Sequence, residues 1–215
     1  MTGPALQHTP RMPRARALFD RVPTRWLVAS GSGILLAASA VFGGLNDAEP
    51  VEPPHLEVGE AHSGLEMDVT VNGGVLIDAF PEVNLIPDDG NRLFVVRATV
   101  ENTTTAARRL SSTEPDPIQV DGVPEVAAGQ APTRILVIDD GSDLVVVQPG
   151  VPVELAFIWE IPADALAAGD TVGISLVDRV YTGEGELTYG GLYGDPVVSA
   201  TVDLELTDVG AGVTE

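Results

Sequence analysis

The chain has no cysteine and no lysine among its 215 residues. Lacking cysteine, it has no disulfide, no thiolate nucleophile, no cysteine-ligated zinc or iron–sulfur centre and no cysteine for lipid attachment. Lacking lysine, it cannot run Schiff-base chemistry or a Ser-Lys dyad. All 11 basic residues are arginine, a usage that fits a GC-rich bacterial genome. Histidine is scarce too: beyond His8 there are only His55 and His62, so a Ser-His-Asp site is disfavoured. No fixed-period repeat is visible, which removes propellers and solenoids. What is present is 44% apolar residues with 23 Gly and 17 Pro in no G-X-Y period. That is the composition of one turn-rich β domain with extensions.

The net charge of −21 is unevenly spread. Residues 1–25 hold Arg11, Arg14, Arg16, Arg21 and Arg25 against Asp20, a net +4, and the rest of the chain carries −25. Between the two lies 26–45, WLVASGSGILLAASAVFGGL, 20 residues without a charge. At about 1.5 Å per residue it matches the roughly 30 Å core of a bilayer. We expect a transmembrane signal-anchor helix over 26–45, a basic cytoplasmic tail over 1–25 and the remainder outside the cytoplasm, because basic flanks resist translocation. The competing reading is a signal peptide cut after Ala38-Ser39-Ala40; the long basic region and the apolar run continuing through Val41, Phe42 and Leu45 favour the anchor. Ala29, Gly33 and Ala37 recur every four residues, a stripe that lets another membrane helix approach closely. A segment rich in Ala, Gly and Ser also produces that spacing by chance.

Residues 46–63 are rich in Pro and Glu and read as a semi-rigid stalk. From residue 64 to 207 short β-like runs alternate with turn residues, at 65–71, 75–80, 93–102, 134–139, 144–148, 152–161, 172–181 and 197–206, with weaker runs at 118–120 and 186–189. Residues 208–215 remain as a tail. Two stripes are clearest: Val198, Ala200, Val202, Leu204 and Leu206, and Val153, Leu155, Phe157, Trp159 and Ile161. Each is the pattern of a half-buried antiparallel strand. Only 163–170 looks helical, for one or two turns, so βαβ crossovers are missing. The expected fold is all-β, an antiparallel β-sandwich with Trp159, Phe157, Phe94 and Phe80 in its core.

The stretch Arg92-Leu-Phe-Val-Val-Arg-Ala-Thr-Val-Glu-Asn-Thr-Thr104, following a Gly-Asn turn, resembles the central strand of immunoglobulin-like domains on Gram-positive secreted or membrane-anchored proteins of unknown function. The resemblance covers residues 64–161 and implies an immunoglobulin-like β-sandwich, here without the disulfide of antibody domains, and no particular activity.

Chemistry has few footholds. Hard oxygen ligands for calcium cluster at 87–91 and at Asp139, Asp140 and Asp143. Neither cluster has EF-hand spacing, and Asp-Gly between strands is also a hairpin signal. His55 and His62 on a linker are a weaker metal candidate. A charge of −25 repels nucleic acid, anionic lipid headgroups and anionic wall polymers. The loop 182–195 places Tyr189 and Tyr193 among five glycines, the make-up of a recognition loop, while the same rings also suit packing onto a sandwich edge. Asn102-Thr103-Thr104 is formally a glycosylation sequon and is assigned to a turn. The expected function is a non-catalytic binding or accessory module with no cofactor, beside a transporter or envelope-assembly protein. The alternatives are a carboxylate-dependent envelope hydrolase and a calcium-rigidified spacer.

Overall fold

The computed structural model describes residues 52–110, 117–184 and 191–210. The anchor segment, with Ala29, Gly33 and Ala37, lies outside the described residues. Among those described, no helix is long and apolar enough to cross a membrane.

The middle of the domain is set by two strands with almost unbroken apolar sequence, β4 (Asn91–Asn102) and β9 (Val153–Pro162), paired antiparallel from Asn91–Pro162 to Val100–Val153. Such runs need cover on both faces. Phe94, Val96, Ala98 and Val100 of β4, with Leu155, Phe157, Trp159 and Ile161 of β9, enter the main core. Leu93 and Val95, with Ala156 and Ile158, form a second cluster on the opposite face. Phe80 and Val83, beside the 3-10 turn Pro81–Val83, pack against that second cluster. The predicted stripe from Val153 to Ile161 is therefore present, with a second apolar face beside it.

β3 (Met67–Ile77) flanks β4, and β7 (Arg134–Val137) flanks β9. Facing this sheet across the main core is a second one, built from β6 (Ile118–Asp121), β10 (Thr171–Asp178) and the first part of β13 (Val197–Gly210). Val172, Ile174 and Leu176 of β10 and Ala200, Val202, Leu204 and Leu206 of β13 supply its inner face. Trp159 is fully buried, stacks on Phe94 with ring centroids 5.8 Å apart and donates Nε1–H to the Gln130 carbonyl at 3.2 Å. Each such buried side chain contributes about 1.5 to 3 kcal/mol against chain entropy. The all-β sandwich expected from the sequence is what forms.

β13 belongs to both sheets. Thr171–Glu205 through Asp178–Val197 pair it antiparallel with β10, and beyond that it pairs parallel with β3 at Leu206–Gly74 through Gly210–Ile77. The sandwich is thus mixed rather than wholly antiparallel. Gly74 is what permits the crossing: a Cβ there would lie 2.7 Å from the side chains of both Leu204 and Leu206.

Three further expectations are corrected. The stalk over 46–63 ends sooner: His55–Leu56 (β1) pair parallel with β13, and Ala61–Ser63 (β2) pair antiparallel with β3. Each short strand continues one sheet, and backbone pairing outweighs the extended preference of the prolines. The runs at 65–71 and 75–80 are mostly one strand, β3, with a register shift between Val71 and Gly73. Residues 163–170 form turns instead of a helix. There Asp170 Oδ2 captures the Ala167 amide at 2.8 Å, and Gly169 takes φ +83° and gives its amide to Leu206, which diverts the backbone from a helical ladder.

The small sheet β5 (Arg108–Leu110) with β8 (Val145–Val147) and the hairpin β11 (Tyr181–Glu184) with β12 (Gly191–Tyr193) complete the domain.

Candidate binding end

β3 starts, β10 ends and β13 starts at the same end of the sandwich, and the β11–β12 hairpin leaves from there. The hairpin is held at its base by rings. Tyr181 and Tyr193 meet edge to face with centroids 5.7 Å apart, and the Arg108 guanidinium lies 5.9 Å from the Tyr181 ring centre. Arg108 is gripped in turn by Glu66 through Nε and Nη2, both at 3.3 Å. Burial works against the charge of this guanidinium, but the Glu66 bond and its carboxylate charge prevail and raise its pKa. Tyr193, expected as a contact residue, thus packs against Tyr181 of its own domain. Tyr189 falls outside the described residues.

Beside the hairpin lies a junction that sequence reasoning missed. Asp178 Oδ1 accepts the Leu65 amide at 3.0 Å, and its Oδ2 lies 3.9 Å from His62 Nε2. A Cβ on Gly64 would sit 2.6 Å from Asp178 Oδ1 and 2.5 Å from the Met67 carbonyl, so glycine is required for the carboxylate to come this close. His62 Nε2 also lies 2.9 Å from Ser199 Oγ, and Ser199 donates to the Leu176 carbonyl at 3.1 Å. With the hydroxyl proton on that carbonyl, the Nε2–H tautomer of His62 is placed to donate to the hydroxyl. That is the reverse of the polarity needed to activate a serine. The grouping pins β2 to the other sheet. His62 and Leu65 are more than 100 positions from Asp178 and Ser199 in sequence, and no local signal announces the junction.

Exposed large apolar side chains at this end include Leu65 (62%), Val180 (57%), Val197 (63%), Val198 (41%) and Tyr181 (42%). Their neighbours explain the placement: Leu65 follows the Gly64 turn, Val180 accepts the Gly194 amide, and Val197 pairs with Asp178.

The calcium candidates are not brought together. Asp143 pairs with Arg134 at 3.4 Å, and Asp140 Oδ1 accepts the Ser142 amide at 2.9 Å. Asp139 lies in the same turn, where Gly141 adopts φ +69°. Among the described residues no three His, Asp or Glu side chains gather as a metal site; the run is a connection from β7 to β8. His55 Nδ1 meets Thr201 Oγ1 at 3.3 Å, two residues along β13 from the Ser199 that His62 meets, and among the described residues no third ligand joins them. Asn102, first residue of the sequon, is fully buried. Its amide donates to the carbonyls of Ala106 (2.7 Å) and Val147 (3.0 Å) and accepts from the Thr104 amide and hydroxyl. Asn102 is the last residue of β4, and its side chain organises the bend that follows, so the turn to which the sequon was assigned begins one residue later.

No protein-family model and no curated protein matches the chain. Two solved structures are similar to it. One is an uncharacterized beta-sandwich protein from Clostridium difficile 630, at 15% identity and a TM-score of 0.41, covering 74% of this chain and 100% of that one. The other is a conserved hypothetical protein from Bacillus anthracis, at 15% identity and a TM-score of 0.31, covering 55% of this chain and 87% of that one.

Proposed function

We propose that the chain is a single-pass bacterial membrane protein, held by residues 26–45 with its N-terminus in the cytoplasm. Its immunoglobulin-like sandwich stands outside as a non-catalytic binding or accessory module. The hairpin carrying Tyr189 and Tyr193 meets an envelope or transporter protein. The observation that carries this reading is the base of that hairpin: Glu66, Arg108, Tyr181 and Tyr193 brace it from one side, and a braced loop presents its tip at low entropic cost. The polar groups nearby support a structural role, since Ser199, His62 and Asp178 spend their bonds on one another and on the backbone.

Limited proteolysis tests it. With an N-terminal tag, protease added to intact spheroplasts should remove the body and leave a short tagged fragment. A body untouched until lysis would overturn the reading.

A further inference from the structure

The connection from β3 to β4 is no tight turn. Residues 78–90 run as a strap across the outer face of the sheet, the face turned away from the main core. That face is apolar: Leu93 and Val95 of β4, Ala156 and Ile158 of β9 and Leu136 of β7 lie on it, with Val75 and Ile77 of β3 half-buried beside them. Paired residues of antiparallel strands share a face, and Val75 opposes Val95, Val95 opposes Ile158 and Ala156 opposes Leu136. The patch is therefore continuous across the sheet. A contiguous apolar patch needs cover, and the strap supplies it with Phe80, Val83 and the buried Leu85.

The strap is held differently from the sheet beneath it. Its hydrogen bonds close on themselves: the Phe80 amide donates to the Leu85 carbonyl at 2.8 Å and the Leu85 amide to the Phe80 carbonyl at 3.1 Å, while Val83 donates to Phe80 at 3.3 Å and Asn84 to Pro81 at 2.9 Å. Asn84 takes φ 54°, a left-handed turn that asparagine tolerates. Ties to the rest of the domain lie at the two ends. The Asp78 amide donates to the Gly210 carbonyl at 2.8 Å, the Asp88 amide to Glu160 Oε1 at 2.8 Å, and the Gly90 carbonyl accepts the Ala163 amide at 2.9 Å. Between Ala79 and Pro87 no hydrogen bond among the described residues leaves the strap for the sheet. Attachment there is side-chain packing alone, onto the patch and against the turn at Gly141, where a Cβ would lie 2.7 Å from Val83 Cγ1. Underneath, β3, β4, β9 and β7 are paired strand to strand, so lifting the strap breaks no backbone bond of the sheet.

We propose that residues 78–90 open as a unit, hinged near Ala79 and Pro87, while both sheets stay folded, and that the strap is a conformational gate over the apolar outer face. Closed, it seals Leu93, Val95, Ala156 and Ile158 from water. Open, it uncovers them without unfolding the sandwich, because segments held by few contacts open at lower free energy than the whole domain. The main core differs in kind: it is covered on both sides by hydrogen-bonded strands and is uncovered only by global unfolding. One face of the β4–β9 pair is thus permanently sealed and the other is sealed by a loop. The gate stands whatever holds the chain at its N-terminus.

Ala98 and Ala156 test it. They occupy neighbouring rungs of the β4–β9 ladder, Ala98 opposite Leu155 and Ala156 opposite Arg97, and both are buried, one in the main core and one under the strap. Because the chain has no cysteine, Ala98→Cys and Ala156→Cys each report on one face through their rate of reaction with an uncharged maleimide. Ile86→Cys, at an exposed position of the strap, gives the rate of an open site. The full chain is used in lipid nanodiscs, free of detergent that would itself cover an apolar face, and unchanged circular dichroism certifies each fold. Position 156 should react at least about tenfold faster than position 98 and at least about tenfold slower than position 86. In urea below the unfolding transition the rate at 156 should stay nearly flat, while that at 98 should climb with the slope of global unfolding. Hydrogen exchange gives the same comparison without any substitution: the Leu85 amide should exchange with little dependence on urea and the Phe94 amide with the full dependence. A rate at 156 that matches 98, or that follows global unfolding in urea, would overturn the gate and make the strap a fixed part of the core. A rate at 156 equal to that at 86 would overturn it as well, since the face would then never be closed.

Discussion

Arg92 and Asp208, 116 positions apart, meet in a two-bond pair, Nη1 to Oδ2 at 2.9 Å and Nη2 to Oδ1 at 2.8 Å. The pair ties the start of β4 to the end of β13, and Asp78 adds a contact to Arg92 Nη2 at 3.2 Å. The Arg92 bond, helped by the Gly210 amide, holds the Asp208 carboxyl below the usual carboxylate range.

A carboxyl whose folded pKa is lowered contributes stability that is complete above its unfolded value and is lost as pH falls through the folded one. Asp208→Asn should therefore lower Tm at neutral pH, and its melting curve should begin to converge on that of the parent only as pH falls below about 4. Calorimetry from pH 7 to 2 reads this directly. A difference that stays constant across the range would show that charge plays no part.

Asn102 uses its whole amide group inside the protein. Asn102→Ala would remove the side-chain partner of the Val147 carbonyl and of the Thr104 amide, at about 1 to 3 kcal/mol for each group left unsatisfied, while the Ala106 carbonyl keeps the Thr104 hydroxyl. Urea unfolding should show a loss of roughly 2 to 4 kcal/mol with an unchanged m-value. A loss below about 0.5 kcal/mol, the range of an ordinary surface change, would contradict the burial of this turn.

Gly74 lies where β13 crosses onto β3. Gly74→Ala should destabilise by about 1 to 3 kcal/mol through overpacking against Leu204 and Leu206. Adding Leu206→Val should return part of that loss, because the clash is with a side-chain end. Strictly additive losses in the double variant would argue against the contact.

Calcium at millimolar concentration, against chelator, should leave the melting midpoint in place. Asp143 is engaged by Arg134 and Asp140 by the Ser142 amide, so a cation would have to break existing bonds. An upward shift that saturates with calcium would revive the ligand reading of Asp139, Asp140 and Asp143.

The sandwich was legible in the sequence wherever burial follows a period of two. The Val153–Ile161 and Ala200–Leu206 stripes are in the main core, although Val198, at the head of the second stripe, is 41% exposed because the sheet ends there. What stayed hidden was pairing at long range. Nothing near His55 or Ala61 indicates that one joins β13 and the other β3, and three prolines argue for an extended linker instead. The parallel contact of β13 with β3 depends on Gly74, whose role appears only once Leu204 and Leu206 are placed against it. Similarly, Tyr193 could be picked out as a ring among glycines, but its companions Tyr181 and Arg108 could not. The Ser199–His62–Asp178 junction joins three separate strand ends and has no local pattern at all.

The dual membership of β13 bears on how the chain is made. Strands β1, β3 and β10 each keep an open hydrogen-bonding edge until residues up to Gly210 have been synthesised. Unpaired edges are templates for aggregation, and contacts this distant form late. A nascent chain would therefore hold its earlier strands unsealed until its last strand is made, and a holding chaperone would have its greatest effect in that interval.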